Sequence, residues 1–215
     1  MSTEHGTELK TWEKFGRFTL PIGLVAVMWV IQIINMTGWL NKLLGLRARK
    51  VSSLFDIFTF PFVHANLAHI IGNSIPLLIL GCVIALGGTK IYAQVTALII
   101  TISGSMLWIV GPSYTITIGA SGLVFGYITY LVGRAYFFKS GFLKIGYMAI
   151  AIIVTIFYGF VLIGGITPMV RSGISWQAHL CGAIAGILTA KILSTGKLSN
   201  EHKRALERES ELDWT

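Results

Sequence analysis

Carboxylates are almost missing from the body of this 215-residue sequence: between Lys14 and Asn200 the only one is Asp56. The rest sit at the two ends, at Glu4, Glu8 and Glu13 and at Glu201, Glu207, Glu209, Glu211 and Asp213. Any chemistry that needs two acids facing each other in the middle of the chain is thereby excluded. Charge of either sign is scarce, at 12% of residues against 54% hydrophobic. With a mean hydropathy of +0.73, that excludes an ordinary soluble domain with one core and points to several membrane-spanning helices. There are only two cysteines, Cys82 and Cys181, both inside apolar runs. They offer neither a disulfide framework nor a metal-ligand cluster, and read as packing residues.

What is present is a series of long apolar runs. Residues 1–17 are polar and form an N-terminal segment. Spans are expected at about Phe18 to Met36, with Pro21 in the first turn, at Pro61 to Leu86, interrupted by Pro76, and at Ile91 to Val110. Three more follow at Gly119 to Gly133, Leu143 to Ile166 and Ser175 to Leu193, and a charged tail occupies 195–215. The first run is too long for the apolar region of a signal peptide and has no A-x-A site after it, so it is expected to stay as a span. Thr37 to Asp56 mixes Trp39, Leu40, Leu43, Leu44 and Leu46 with Lys42, Arg47, Arg49 and Lys50, a pattern that suits a segment lying at the lipid interface. A plain solvated loop is the alternative for its second half.

The net charge of +8 comes from basic residues set singly beside apolar runs. They form no continuous stripe for nucleic acid, and are read as topology signals. Six spans put both termini on one side. With that side cytoplasmic, twelve Lys and Arg face the cytoplasm and five, Lys42, Arg47, Arg49, Lys50 and Arg171, face out, which favours N-in and C-in. The basic cluster in the first external loop would then touch lipid phosphates. The second, fourth and sixth spans start outside, so His69, Asn73, Ser121 and His179 share the outer leaflet.

Ionisable groups at membrane depth are costly and are functional candidates for that reason. Ser121 stands in Gly119-Ala-Ser-Gly122 at a helix start; His179 opens the sixth span in Ala178-His179-Leu-Cys-Gly182-Ala-Ile-Ala-Gly186. Gly122 and Gly126 on one helix and Gly182 and Gly186 on the other give small faces that allow close packing. Packing them together brings an imidazole to the Ser121 hydroxyl, and a histidine that takes the hydroxyl proton makes serine a nucleophile. No carboxylate can orient that base, so the arrangement would be a Ser-His dyad. Phe125, one turn after Ser121, could stack on His179. His69 and Asn73 are four residues apart and share a helix face, as an oxyanion hole completed by the Ser121 N–H requires. His64 is five residues before His69, about 140° round a helix at 100° per residue, and is read as structural. No metal site is expected, since there is neither a His-Glu-x-x-His helix nor a pair of aspartates in the spans.

Three motifs in order, His64-x4-His69-x3-Asn73, Gly119-Ala-Ser121-Gly122 and Ala178-His179-x2-Gly182-x3-Gly186, resemble the rhomboid family of intramembrane serine proteases over roughly Phe18 to Leu193. The resemblance implies an all-α membrane protein, a six-transmembrane-helix rhomboid-like bundle over 18–194. It also implies Ser121 as nucleophile and His179 as base, with His69, Asn73 and the Ser121 backbone around the oxyanion and Phe125 stacked on His179. Gly119, Gly122, Gly182 and Gly186 would support them. The implied reaction is hydrolysis of peptide bonds in or near the transmembrane segments of other membrane proteins, with no cofactor or metal. The implied partners are such substrates in membrane lipid; the scattered basic residues suit no nucleic acid, and the short N-terminus without a transit peptide favours a bacterial plasma membrane over an organelle. The oligomeric state is left open. One departure stands out: Phe55-Asp56 occupies the place of the family's Trp-Arg pair in the first loop, which leaves open how that loop is anchored. Two other readings remain at this point, a binding or transport protein for a small ligand and a catalytically inactive relative that grips membrane helices.

Overall fold

The computed structural model describes residues 16–137 and 175–212, with 145, 146, 148–150, 152, 153 and 156 between them. The described residues are helical, with no strand; Leu46 and Thr117 form an isolated antiparallel bridge. Helix α1 is Thr19–Ile34. The first loop carries two short helices, α2 (Trp39–Leu44) and α3 (Asp56–Thr59), with 3-10 turns at Val51–Ser53 and Phe60–Phe62. Then come α4 (Leu67–Ala85), α5 (Thr89–Val110), α6 (Ser121–Phe137) and α7 (Trp176–Leu212). Among the described residues three helical stretches are long and apolar enough to cross a membrane: α4, α5 and the part of α7 from Trp176 to Thr195. Helices α1, at 16 residues, and α6, at 17, are shorter. At 1.5 Å per residue α6 reaches about 25 Å, less than a hydrocarbon layer of roughly 30 Å. The expected fifth span falls mostly outside the described residues, as do most of 1–17 and Arg171.

Local chemistry explains where the observed ends depart from the expected ones. The second span does not begin at Pro61. Pro61 sits in a 3-10 turn, and Asn66 caps α4 by accepting the His69 backbone N–H through its side chain at 2.9 Å. Asparagine is a strong N-cap because it fills one of the orphan donors of the first turn. His64 is therefore not on the helix at all. Pro76 is taken up inside α4 without ending it, which a membrane helix allows where neighbours surround the freed carbonyl.

One apolar core joins α1, α4, α5, α6 and α7, with Tyr127, Tyr130, Met28, Ile70, Leu77, Leu80, Ile99 and Leu131 shut off from solvent. Side-chain hydrogen bonds cross it: Trp29 Nε1 to Ser74 Oγ at 3.1 Å, Thr96 Oγ1 with Tyr127 Oη at 2.7 Å, and Thr129 Oγ1 to the Ala183 carbonyl at 2.7 Å. Each links two helices, α1–α4, α5–α6 and α6–α7 in turn. Where lipid is as apolar as the side chains, such bonds and close packing hold helices together.

The tightest seam is between α6 and α7. A Cβ added at Gly182 would collide with the Gly122 carbonyl, and one at Gly186 with the Gly126 carbonyl and the Thr129 hydroxyl. Backbone thus lies on backbone along both small-residue faces. A smaller cluster, Leu46, Ile57, Phe60, Leu107, Ala178 and Cys181, seats the first loop against the ends of α5 and α7. Ile57 packs on the bare Cα of Gly104 in α5. Cys82 and Cys181 are free thiols.

Candidate active site

Helices α4, α6 and α7 all begin at the same end of the bundle, which gathers residues distant in sequence. Segment 111–120 leads into α6. Its last part turns at Gly119, whose φ of 106° lies in the left-handed region. A Cβ there would come within 2.5 Å of His69 Cε1 and 2.6 Å of Nε2, so only glycine suits the position, on grounds of both φ and space. The Gly119 N–H donates to the Phe60 carbonyl at 2.9 Å and the Ala120 N–H to His64 Nε2 at 3.4 Å. The Ala120 carbonyl then accepts from the Val124 N–H at 3.0 Å, and the helix starts at Ser121. The first N–H groups of a helix have no carbonyl one turn back to bond, and that of Ser121 is among them.

His179 stands in the first turn of α7, buried at 3% exposure. Its Nε2 is 2.7 Å from Ser121 Oγ. The seam of glycines sets that distance, because Gly122 directly follows Ser121, Gly182 lies three residues after His179, and the two glycine backbones touch. The Phe125 ring lies over the imidazole with centroids 4.4 Å apart and planes inclined by 16°. Aromatic stacking of this kind helps to hold the imidazole plane in one orientation.

His69 lies against Gly119 from α4, and its Nδ1 accepts the Ala65 N–H at a long 3.5 Å. A ring nitrogen that accepts must carry the lone pair, so the proton belongs on Nε2, the atom turned to Gly119. Asn73, one turn further along α4, is 5% exposed, and its buried Nδ2 has no hydrogen-bond partner. Buried amides are nearly always satisfied; a donor kept empty is suited to a group that arrives later. His64, which precedes α4, is fully buried with its ring edge toward His69, centroids 5.0 Å apart. Burial, reinforced by the neighbouring His69, pushes its imidazole down to about 3. It is thus neutral and able to accept the Ala120 N–H.

The structure therefore brings Ser121 and Phe125 each against His179, and His69 against Gly119, two residues before Ser121, with Asn73 one turn from His69. His64, expected on the far side of a helix, instead holds the peptide before Ser121. The reason for the difference is the Asn66 cap, a signal readable in the sequence as an asparagine just before an apolar run. The bonds from Phe60 and Ala65 had no such signal. Among the described residues no three His, Cys, Asp or Glu side chains converge to hold a metal ion. The set can activate a hydroxyl by an adjacent imidazole and present donors to an oxygen beside it.

Comparison with known proteins gives a Rhomboid domain match over residues 51–196. An uncharacterised protein of Mycobacterium leprae is 38% identical over 79% of this chain and 68% of its own. An uncharacterised protein of Mycobacterium tuberculosis is 32% identical over 96% of this chain and 85% of its own. A putative rhomboid protein of Acanthamoeba polyphaga mimivirus is 29% identical over 72% and 84%.

Proposed function

The chain belongs to the rhomboid family, and on that premise we propose that it is an intramembrane serine endopeptidase acting on peptide bonds in or near transmembrane segments of other membrane proteins. The observation that carries the reading is the 2.7 Å contact between Ser121 Oγ and His179 Nε2. Ser121 attacks the carbonyl carbon while its proton passes to His179 Nε2, and the carbonyl oxygen becomes an oxyanion. Three donors are assigned to that charge: the Ser121 N–H, His69 Nε2–H and Asn73 Nδ2–H. Donors already aimed at developing charge lower the barrier without reorganising. Collapse breaks the C–N bond, the leaving amine takes the proton from His179, and an acyl ester remains on Ser121. Water then attacks the ester with His179 again as base, releasing the new carboxylate and the free hydroxyl.

Neither a metal nor a cofactor enters this scheme. In a cell the protein forms a six-span bundle with both termini cytoplasmic, in a bacterial plasma membrane, with the Ser121 end outside. The twelve-to-five division of basic residues supports that orientation.

The experiment is labelling with a serine-directed fluorophosphonate, read by mass spectrometry, alongside cleavage of a transmembrane peptide in detergent. The native protein is expected to carry the label on Ser121. Ser121→Ala and His179→Ala are each expected to abolish cleavage with the fold intact, since residues acting as one unit are lost together. Cleavage surviving in Ser121→Ala sinks the assignment.

A further inference from the structure

The segment that delivers Ser121 to its place is held largely by the first loop. Arg49 reaches the Gly111 carbonyl at its start; Leu46 exchanges both backbone bonds with Thr117, each 2.9 Å; Phe60 and His64 take the N–H groups of Gly119 and Ala120. Of these contacts only the one from Arg49 carries charge.

Arg49 is also the one non-glycine with positive φ among the described residues, at 59°. Such a conformation is disfavoured for a residue with a Cβ and persists only where surrounding bonds demand it. The bonds are present. Its N–H donates to the Trp108 carbonyl at 2.9 Å, and its Nη1 donates to the carbonyls of Ile109 at 2.9 Å and Gly111 at 2.7 Å. Trp108 Nε1 answers with a bond to the Lys50 carbonyl at 2.9 Å. A guanidinium thus covers the last carbonyls of α5, where the helix dipole favours positive charge. An arginine and a tryptophan from two separate stretches form a two-way staple between the first loop and the point where α5 gives way to segment 111–120. Phe55 is solvent-exposed, and Asp56 is buried and accepts the Ser53 hydroxyl, so neither contributes to it.

We propose that Arg49, together with Trp108, is a positioning residue for the nucleophile. The staple fixes where segment 111–120 leaves α5 and, through the bridge at Leu46, the direction in which the Ser121 N–H and hydroxyl face. The proposal rests on the reading of Ser121 as nucleophile. A displacement near 1 Å at a reacting atom can cost on the order of a hundredfold in rate, so a loop anchor far from the chemistry acts on the rate constant.

The test uses the full chain purified in detergent, well below its thermal midpoint. Arg49→Gly accepts the left-handed backbone and removes only the side chain. It is expected to slow fluorophosphonate labelling of Ser121 about tenfold or more, and to lower kcat on a transmembrane peptide with KM unchanged. Arg49→Lys keeps one donor of shorter reach and is expected between Arg49→Gly and the native protein. Trp108→Phe keeps the ring and loses only the bond to Lys50; it is expected to slow labelling by a smaller factor, and serves if Arg49→Gly does not fold. Native labelling rates in the folded variants overturn the proposal, as does a loss that vanishes once rates are scaled to the folded fraction. A native protein that takes no label at Ser121 overturns the nucleophile reading instead.

Discussion

Asn73 shows how stability and chemistry pull apart at a single residue. Its Nδ2 is buried with no partner, and leaving a donor unsatisfied costs about 1–3 kcal/mol. Under the proposed mechanism, Asn73→Ala is therefore expected to hold or raise the thermal midpoint while kcat falls by a factor on the order of 10²–10³, the usual loss for one oxyanion donor. Parallel melting and turnover measurements decide it; a fall in both would make Asn73 an ordinary packing residue. His64 is the complementary case. Its folded imidazole titrates near 3 because it is buried beside His69, well below the 6.5 of a free histidine. Between those values the unfolded chain binds a proton that the folded chain does not, so stability falls as pH drops from about 6.5 toward 3. His64→Gln, which can still accept the Ala120 N–H but does not titrate, is expected to flatten the decline of thermal midpoint with pH over that window. Melting curves at pH 7 and pH 5 test it. An unchanged slope would mean that His64 is not the group responsible. The contacts of His179 with Ser121 and Phe125 join residues that short motifs and helical spacing had already singled out. The supports of the site were less legible. Phe125 could be placed by helical spacing, whereas the bonds from Phe60, Ala65 and His64 join residues whose proximity no spacing encodes.

At the scale of the helix, the α6–α7 seam decides whether Ser121 and His179 meet. Gly182→Ala puts a methyl group into the Gly122 carbonyl, which is backbone and cannot yield. Overpacking of this kind costs about 1–3 kcal/mol, and here it also pushes His179 from Ser121. The expected result is a lower thermal midpoint with cleavage nearly lost. Gly23→Ala in α1 meets nothing within 4 Å and is expected to leave both unchanged, so the pair separates the seam from a general effect of methyl groups on membrane helices. Full activity in Gly182→Ala would show that the seam is looser than its geometry. Helix ends were readable where chemistry marks them, as Gly119 marks the start of α6. They were misjudged where an apolar run continues through a turn: Pro61, Phe62 and Val63 look like the start of a span, but Asn66 opens α4 three residues later. The 3-10 turns and the Leu46–Thr117 bridge leave no periodic trace, and so the first loop's path could not be read in advance.

For the molecule as a whole, topology is the claim most open to direct measurement. In cells, cysteine substitutions at Ser113, beside the site, and Ser199, in the tail, are expected to react with a membrane-impermeant maleimide only at position 113. Reaction at 199 alone would invert the bundle and with it the face from which water reaches Ser121. The bundle's membrane character followed from composition, and its basic residues suggested a direction; the pairing of helices followed from glycine spacing only for α6 and α7. The bare meeting of those two backbones also bears on heating. Hydroxyl and imidazole are carried on one rigid double strut, so the pair should be among the last neighbours to part as the protein warms. Under the proposed peptidase reading, gradual thermal inactivation would then report failing admission of the peptide, with Ser121 and His179 still together, until the strut itself gives way in a single cooperative step.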